Sequence, residues 1–192
     1  MGTLASLPPV ILASASPRRA DLLTAAGIAI EIRPVDVDER PFDGEAAADY
    51  VARVAADKTR ACVAAEDAVV LAADTVVVVD RRILGKPADD AAAAGMLRLL
   101  SGRVHEVLTG VAVRHGGEVA VAVESTAVTF SRLSDADVAW YVSSGEPRDK
   151  AGAYAVQGLA SRFVERVDGS YSNVVGLPVA LVCRMLAEVV PG

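Results

Sequence analysis

The sequence predicts an α/β fold on a mixed, strongly twisted sheet flanked by helices. Three observations lead there. Short apolar runs alternate with helically periodic segments up to about residue 101, which is the order that βα units produce. Two alternating segments, "RVHEVLTGVAVRH" and "EVAVAVESTAVTFSR", then meet at Gly116-Gly117, a hairpin signal. Finally, 192 residues with 53% hydrophobic but only 4% aromatic content can bury one core of Val, Ala and Leu, so a single domain over 1–192 is expected.

The elements follow in order. A strand covers 9–13. Ser16 then offers an N-cap, Pro17 fits the first helical position and Gly27 fits the stop, which gives a helix from Pro17 to about Ala26. A short strand at 29–33 leads to the acidic loop "DVDERPFDGE", and a long helix runs from about Glu45 to Ala65. Its apolar stripe contains Tyr50, Val51, Val54 and Cys62, with Lys58 inside it. A strand pair spans 69–84, followed by the loop "GKPADD" and a helix to about Ser101. After the hairpin, "SDADVAWYVSSGEP" reads as a capped helix and "DKAGAYAVQG" as a glycine-bearing loop, while "SRFVERVDG" reads as a strand and "GLPVALVCRMLAEV" as a closing helix. No internal repeat or Pro/Ser-rich linker marks a second domain.

Composition excludes several classes. A net charge of -6 without a basic stripe argues against a nucleic-acid scaffold, so any bound polyanion is small and met by local cations. The longest apolar stretch, "AVVLAADTVVVVD", is broken by Asp74 and falls short of the ~20 residues a spanning helix needs, so no membrane partner is expected. The N-terminus lacks a cationic region followed by an apolar run. Cys62 and Cys183 read as small helical core residues in a reducing compartment, which makes the cytoplasm the expected location. "MGTLAS" matches an N-acylation pattern around Gly2, but so few constrained positions are met easily by chance.

The chemistry gathers at a few residues. A helix N-terminus favours anions, so the arginine pair in "SASPRR" either seats a phosphate or pairs with the carboxylates of "DVDE". Asp74 interrupts an apolar strand and shares a face with Ala72, Val76 and Val78, where an unpartnered carboxylate is costly. It either meets a divalent metal or water as a general base, or caps a turn with Thr75 at a strand end. Arginine dominates the 19 cations; the lysines are Lys58, Lys86 and Lys150, and Gln157 is the sole glutamine. Lys58 could merely snorkel and Lys86 decorate a turn, but with Glu39, Asp74 and an amide they suit a polyphosphate bridged by a hard cation. There is no Walker A sequence, because Pro87 follows Lys86, and no dinucleotide fingerprint follows the first strand. His105 and His115 lack ligand-like spacing.

"SASPRR", "DER", "DKTRA", "AADTVV", "LGKP", "MLRLLSG", "DKAGAYAVQG" and "DGSYSNVVGLP" occur in an order and spacing that resemble the Maf family of nucleoside triphosphate pyrophosphatases, over nearly the whole chain. The resemblance implies hydrolysis between the α and β phosphates with Mg2+ or Mn2+, and commonly a homodimer. It also implies two lobes around a central cleft, similar to the inosine triphosphate pyrophosphatase fold. By position, Asp74 resembles the catalytic carboxylate and Glu39 its companion at the metal, while Ser14, Arg19, Lys58 and Lys86 fall on polyphosphate-binding positions. Arg18, Thr75 and Gln157 resemble the dTTP/UTP-hydrolysing subgroup. The sister subgroup, acting on 7-methyl-GTP, carries an aromatic residue before the arginine pair, Gln after the Asp and Glu in place of Gln157. "AYAVQG" departs from the more common Gly-Ile before Gln. A nucleotide-binding regulator of septum formation is the alternative, distinguished by Asp74, which binding alone does not require.

Overall fold

A computed structural model of the chain describes residues 8–189; Gly2 of the N-terminal pattern lies outside them. The strands are β1 (Val10–Leu12), β2 (Ile30–Ile32), β3 (Val70–Val79), β4 (Arg82–Leu84), β5 (Val104–His115), β6 (Glu118–Phe130) and β7 (Val164–Asp168). The helices are α1 (Pro17–Ala25), α2 (Ala47–Ala61), α3 (Asp90–Leu100), α4 (Asp135–Ser143), α5 (Tyr171–Val175) and α6 (Val179–Val189). They form the expected α/β fold with a seven-stranded mixed sheet in the order β2-β1-β3-β5-β6-β7, β4 pairing with β3. β1 runs parallel to both β2 and β3, whereas β3 with β4 and β6 with β7 are antiparallel. Among the described residues no helix is long and apolar enough to cross a membrane.

Local chemistry explains most boundaries. Pro17 occupies the first turn of α1, and Gly27 past its end takes φ 75°, a conformation that suits glycine. Ser16 holds the N-cap position without a side-chain cap; its own N–H donates to Ser14 Oγ at 3.2 Å instead. Ser134 and Asp137 form a reciprocal capping box on α4. α2 ends at Ala61, short of the predicted Ala65, so Cys62 is a buried residue just past the helix. α5 lies within "DGSYSNVVG", where the periodicity predicted nothing, and a 3-10 turn at Leu159–Phe163 occupies the start of the predicted strand "SRFVERVDG".

The chain divides into two compact units. The first comprises Met1–Asp74, Thr109–Glu124 and Gly176–Gly192, and the second Thr75–Leu108 and Ser125–Val175, so the division falls between Asp74 and Thr75 within β3. In the first unit Leu12, Leu23, Leu71, Val111, Val182 and Leu186 form the core. α2 lies directly against β5 there. A Cβ on Gly110 would stand 2.1 Å from the Val51 carbonyl oxygen, so only glycine allows the approach that seats the helix bearing Lys58.

The second unit is held by an aromatic cluster. Phe130 meets His105 and Tyr154 edge-on with centroids 5.0 and 4.8 Å apart, and Phe163 meets Tyr141 at 5.5 Å. His105 Nε2 lies 2.9 Å from the Tyr154 hydroxyl, while its Nδ1 is buried without a hydrogen bond. Burial pushes this imidazole down to about 4. The unfolded chain, with histidine near its ordinary value of about 6.5, therefore binds the proton first. Stability from the neutral ring is complete above about 6.5 and drains as pH falls toward about 4, on the order of 3 kcal/mol in all. His105→Gln keeps a polar partner for Tyr154 but cannot titrate, so its melting temperature should fall less between pH 7 and 4 than that of the parent chain. Parallel pH profiles would contradict this.

Candidate active site

Two acidic residues of the first unit, Glu39 and Asp74, converge on one ammonium. Lys58, on the buried face of α2, is only 7% exposed, and its Nζ reaches Asp74 Oδ1 at 2.8 Å and Glu39 Oε1 at 2.7 Å. Snorkelling is thereby ruled out as the role of this lysine. The side chain ends on two carboxylates that face one another across it, which offsets the cost of burying the charges. Asp74 sits in mid-strand β3 and is 7% exposed, so it caps no turn at a strand end. Its Oδ1 takes the lysine hydrogen bond. Glu39 stands half-exposed on the loop before α2.

That loop is anchored by Tyr50, whose place in an apolar stripe gives no hint of the role, and by Arg53, which no motif marks. The Tyr50 hydroxyl donates to the Glu39 carbonyl at 2.8 Å, and burial with the charges of Asp74 and Glu39 pushes the phenol up to about 12, so it remains a donor. Arg53 holds both oxygens of Glu45, at 2.7 and 2.8 Å, and donates to the Arg40 carbonyl at 3.2 Å. Its hydrogen bond draws the Glu45 carboxyl down to about 2, and its guanidinium lies 4.1 Å from the Phe42 ring centre. A Tyr and an Arg three apart on α2, facing an acidic loop, is the signal that could have marked them.

Arg19 is also buried, and burial lowers its pKa from the usual value. Its Nη1 donates to Ser14 Oγ at 3.1 Å and to the Ala73 carbonyl at 2.7 Å, and Nε donates to the Gly176 carbonyl at 2.9 Å. Arg19 therefore grips the backbone immediately before Asp74. Two of the three acids of "DVDE" pair elsewhere than on the arginines of α1, because Asp38 bonds Arg40 and Glu39 bonds Lys58. Ser14, Arg19, Glu39, Lys58 and Asp74 thus form one connected set, with half-buried Arg18 beside Arg19 in the first turn of α1. Thr75, Lys86 and Gln157 belong to the second unit: Thr75 follows Asp74 on β3, and Lys86 and Gln157 are exposed on loops.

The paired carboxylates suit a hard cation. Among the described residues no group of three or more His, Cys, Asp or Glu side chains is placed to enclose a metal. Two carboxylates nevertheless match the way Mg2+ is held, by one or two protein oxygens with water and substrate phosphate completing the shell. Asp74 and Glu39 are the residues that fit it.

The family model described as Maf-like protein matches residues 9–189. The chain belongs to the Maf family. Its relatives include a protein of Anaeromyxobacter dehalogenans (strain 2CP-C), 55% identical over 93% of each chain, and one of Methylobacillus flagellatus, 50% identical over 92% of this chain and 90% of the relative. Another, from Shewanella oneidensis, is 48% identical over 93% of this chain and 97% of the relative. All three are named dTTP/UTP pyrophosphatase. Among solved structures, a HAM1 protein from Coxiella burnetii superposes with a TM-score of 0.53 at 16% identity, covering 95% of this chain and 100% of that one. The Staphylococcus aureus Ham1 protein gives 0.53 at 13% identity, over 94% and 99%. These likenesses establish the fold, as the family resemblance implied.

Proposed function

We propose that this Maf-family nucleoside triphosphate pyrophosphatase cleaves the α–β phosphoanhydride of dTTP and UTP, releasing nucleoside monophosphate and pyrophosphate. The observation that carries the reading is the buried Asp74, oriented by Lys58 opposite Glu39 in a chain so close to relatives bearing that name. Asp74 accepts the proton of the attacking water through the oxygen that Lys58 leaves uncommitted. Lys58, Arg19, Arg18 and Lys86 meet phosphate oxygens, with Ser14 orienting Arg19 and Thr75 following the catalytic residue. A divalent cation held by Asp74 and Glu39 would neutralise phosphate charge in the transition state. Activity should cease in excess chelator and return with Mg2+ or Mn2+; full activity in chelator would rule the cation out. The span 1–192 serves as one Maf-like domain in a cytoplasmic homodimer, without nucleic-acid or membrane partners.

Base selection falls to Gln157. A carboxamide accepts from the N3–H of uracil or thymine and donates to a ring carbonyl, whereas a carboxylate only accepts. Gln157→Glu should therefore lower kcat/KM for dTTP and UTP by about 10- to 100-fold, and for purine nucleotides less. Kinetics on dTTP, UTP, GTP and 7-methyl-GTP test this. A uniform fall across the four would show that Gln157 supports its loop and does not read the base.

A further inference from the structure

Gln157 stands on a turn held with unusual completeness. The Gly158 N–H donates to the Ala155 carbonyl at 3.0 Å, closing a turn with Val156 and Gln157 at its centre. Tyr154, Ala155 and Val156 are buried beneath it, whereas the Gln157 side chain is exposed. Loop tips with this composition are ordinarily free to move.

Here a single hydrogen-bonded pair grips the turn from both ends. On the entering side, the Ala155 N–H donates to the Tyr141 hydroxyl at 3.1 Å. That hydroxyl donates in turn to Glu146 Oε1 at 2.8 Å. On the leaving side, the N–H groups of Leu159 and Ala160 donate to Glu146 Oε2 and Oε1 at 3.0 and 3.4 Å. These are the first donors of the 3-10 turn Leu159–Phe163, whose N-cap Gly158 has no side chain to satisfy them, so Glu146 performs the capping from thirteen residues away. Gly158 leaves the room: a Cβ there would stand 2.3 Å from Glu146 Oε2.

We propose that Glu146 and Tyr141 are positioning residues for base selection, fixing the turn that presents the Gln157 amide; this rests on the reading of Gln157 as the base-reading group. An amide discriminates between bases only if its donor and acceptor are held in place, because a mobile one adapts to either edge. The fully buried Tyr141 ring and the Glu146 carboxylate supply that rigidity without touching substrate.

The test measures the ratio of kcat/KM for UTP to that for GTP in Glu146→Gln, Tyr141→Phe and Gln157→Ala, singly and combined, with thermal unfolding alongside. Gln157→Ala should collapse the ratio. Glu146→Gln should lower it by about tenfold and Tyr141→Phe by a few-fold, with the activity on GTP reduced less. In the Gln157→Ala background neither should move the ratio further, since no amide remains to be misplaced. If Gln157→Ala collapses the ratio but both positioning variants keep it, the inference is overturned and the role of Gln157 stands. If Gln157→Ala keeps the ratio, the reading of Gln157 fails and the inference falls with it. A ratio that falls equally in the Gln157→Ala background, or equal losses on both substrates tracking the melting temperature, would make the pair merely structural.

Discussion

Asp74→Asn is expected to lower kcat by about 10²-fold or more while the melting temperature stays close to that of the parent. Asparagine has nearly the same shape, and its carbonyl oxygen still accepts from Lys58, which in the parent lies 2.8 Å from Asp74 Oδ1. On the proposed mechanism, what disappears is the basic oxygen that takes the proton of water and half of the charge offered to a hard cation. The loss should therefore fall on turnover and leave nucleotide binding largely intact, because Arg19 and Lys58 remain in place. Steady-state kinetics with nucleotide binding measured separately distinguishes the two. Near-normal kcat would remove Asp74 from the chemistry.

The second large effect is on stability. Lys58→Met keeps the length of the stem on α2 but deletes the ammonium that both carboxylates share. Asp74, whose side chain is 10% exposed, is left without its cation and opposite the Glu39 carboxylate. Removing one partner of a buried ion pair typically costs about 3–5 kcal/mol, well above the value of an exposed bridge. The half-exposed Glu39 should contribute little to that cost, since water can reach it. Adding Asp74→Asn to Lys58→Met should restore part of the lost stability, because the stranded charge is then gone. Denaturant unfolding of the two single variants and the double variant measures this. A Lys58→Met chain as stable as the parent would contradict the account.

Much of the fold was legible because its punctuation is local. Pro17 and Gly27 frame α1, "SDAD" contains the capping box of α4, and Gly116-Gly117 turns the hairpin. The misses have equally local causes. α5 is too short to show a helical period, and "CVAAEDA" is rich in helix formers yet lies past the end of α2, with Val63 86% exposed. In the site, residue types were visible but partners were not. Asp74 announced itself as a carboxylate in an apolar strand, and Lys58 as a charge in an apolar stripe. That Lys58 joins Asp74 to Glu39, and that Arg19 spends donors on the carbonyls of Ala73 and Gly176, depends on contacts between residues distant in sequence. The supports of the Glu39 loop and the Gln157 turn were hidden for the same reason: Tyr50 is visible only as part of an apolar stripe, and the backbone partners of Tyr50, Arg53 and Tyr141 lie more than ten residues away.

The most direct measurement identifies the primary products of dTTP and UTP hydrolysis in a single-turnover experiment with the parent chain and Asp74→Asn. The parent should release pyrophosphate and nucleoside monophosphate in equal amounts, and the variant should form them at least about 10²-fold more slowly. Orthophosphate and nucleoside diphosphate as first products, or pyrophosphate released at the same rate by both chains, would contradict the proposed mechanism.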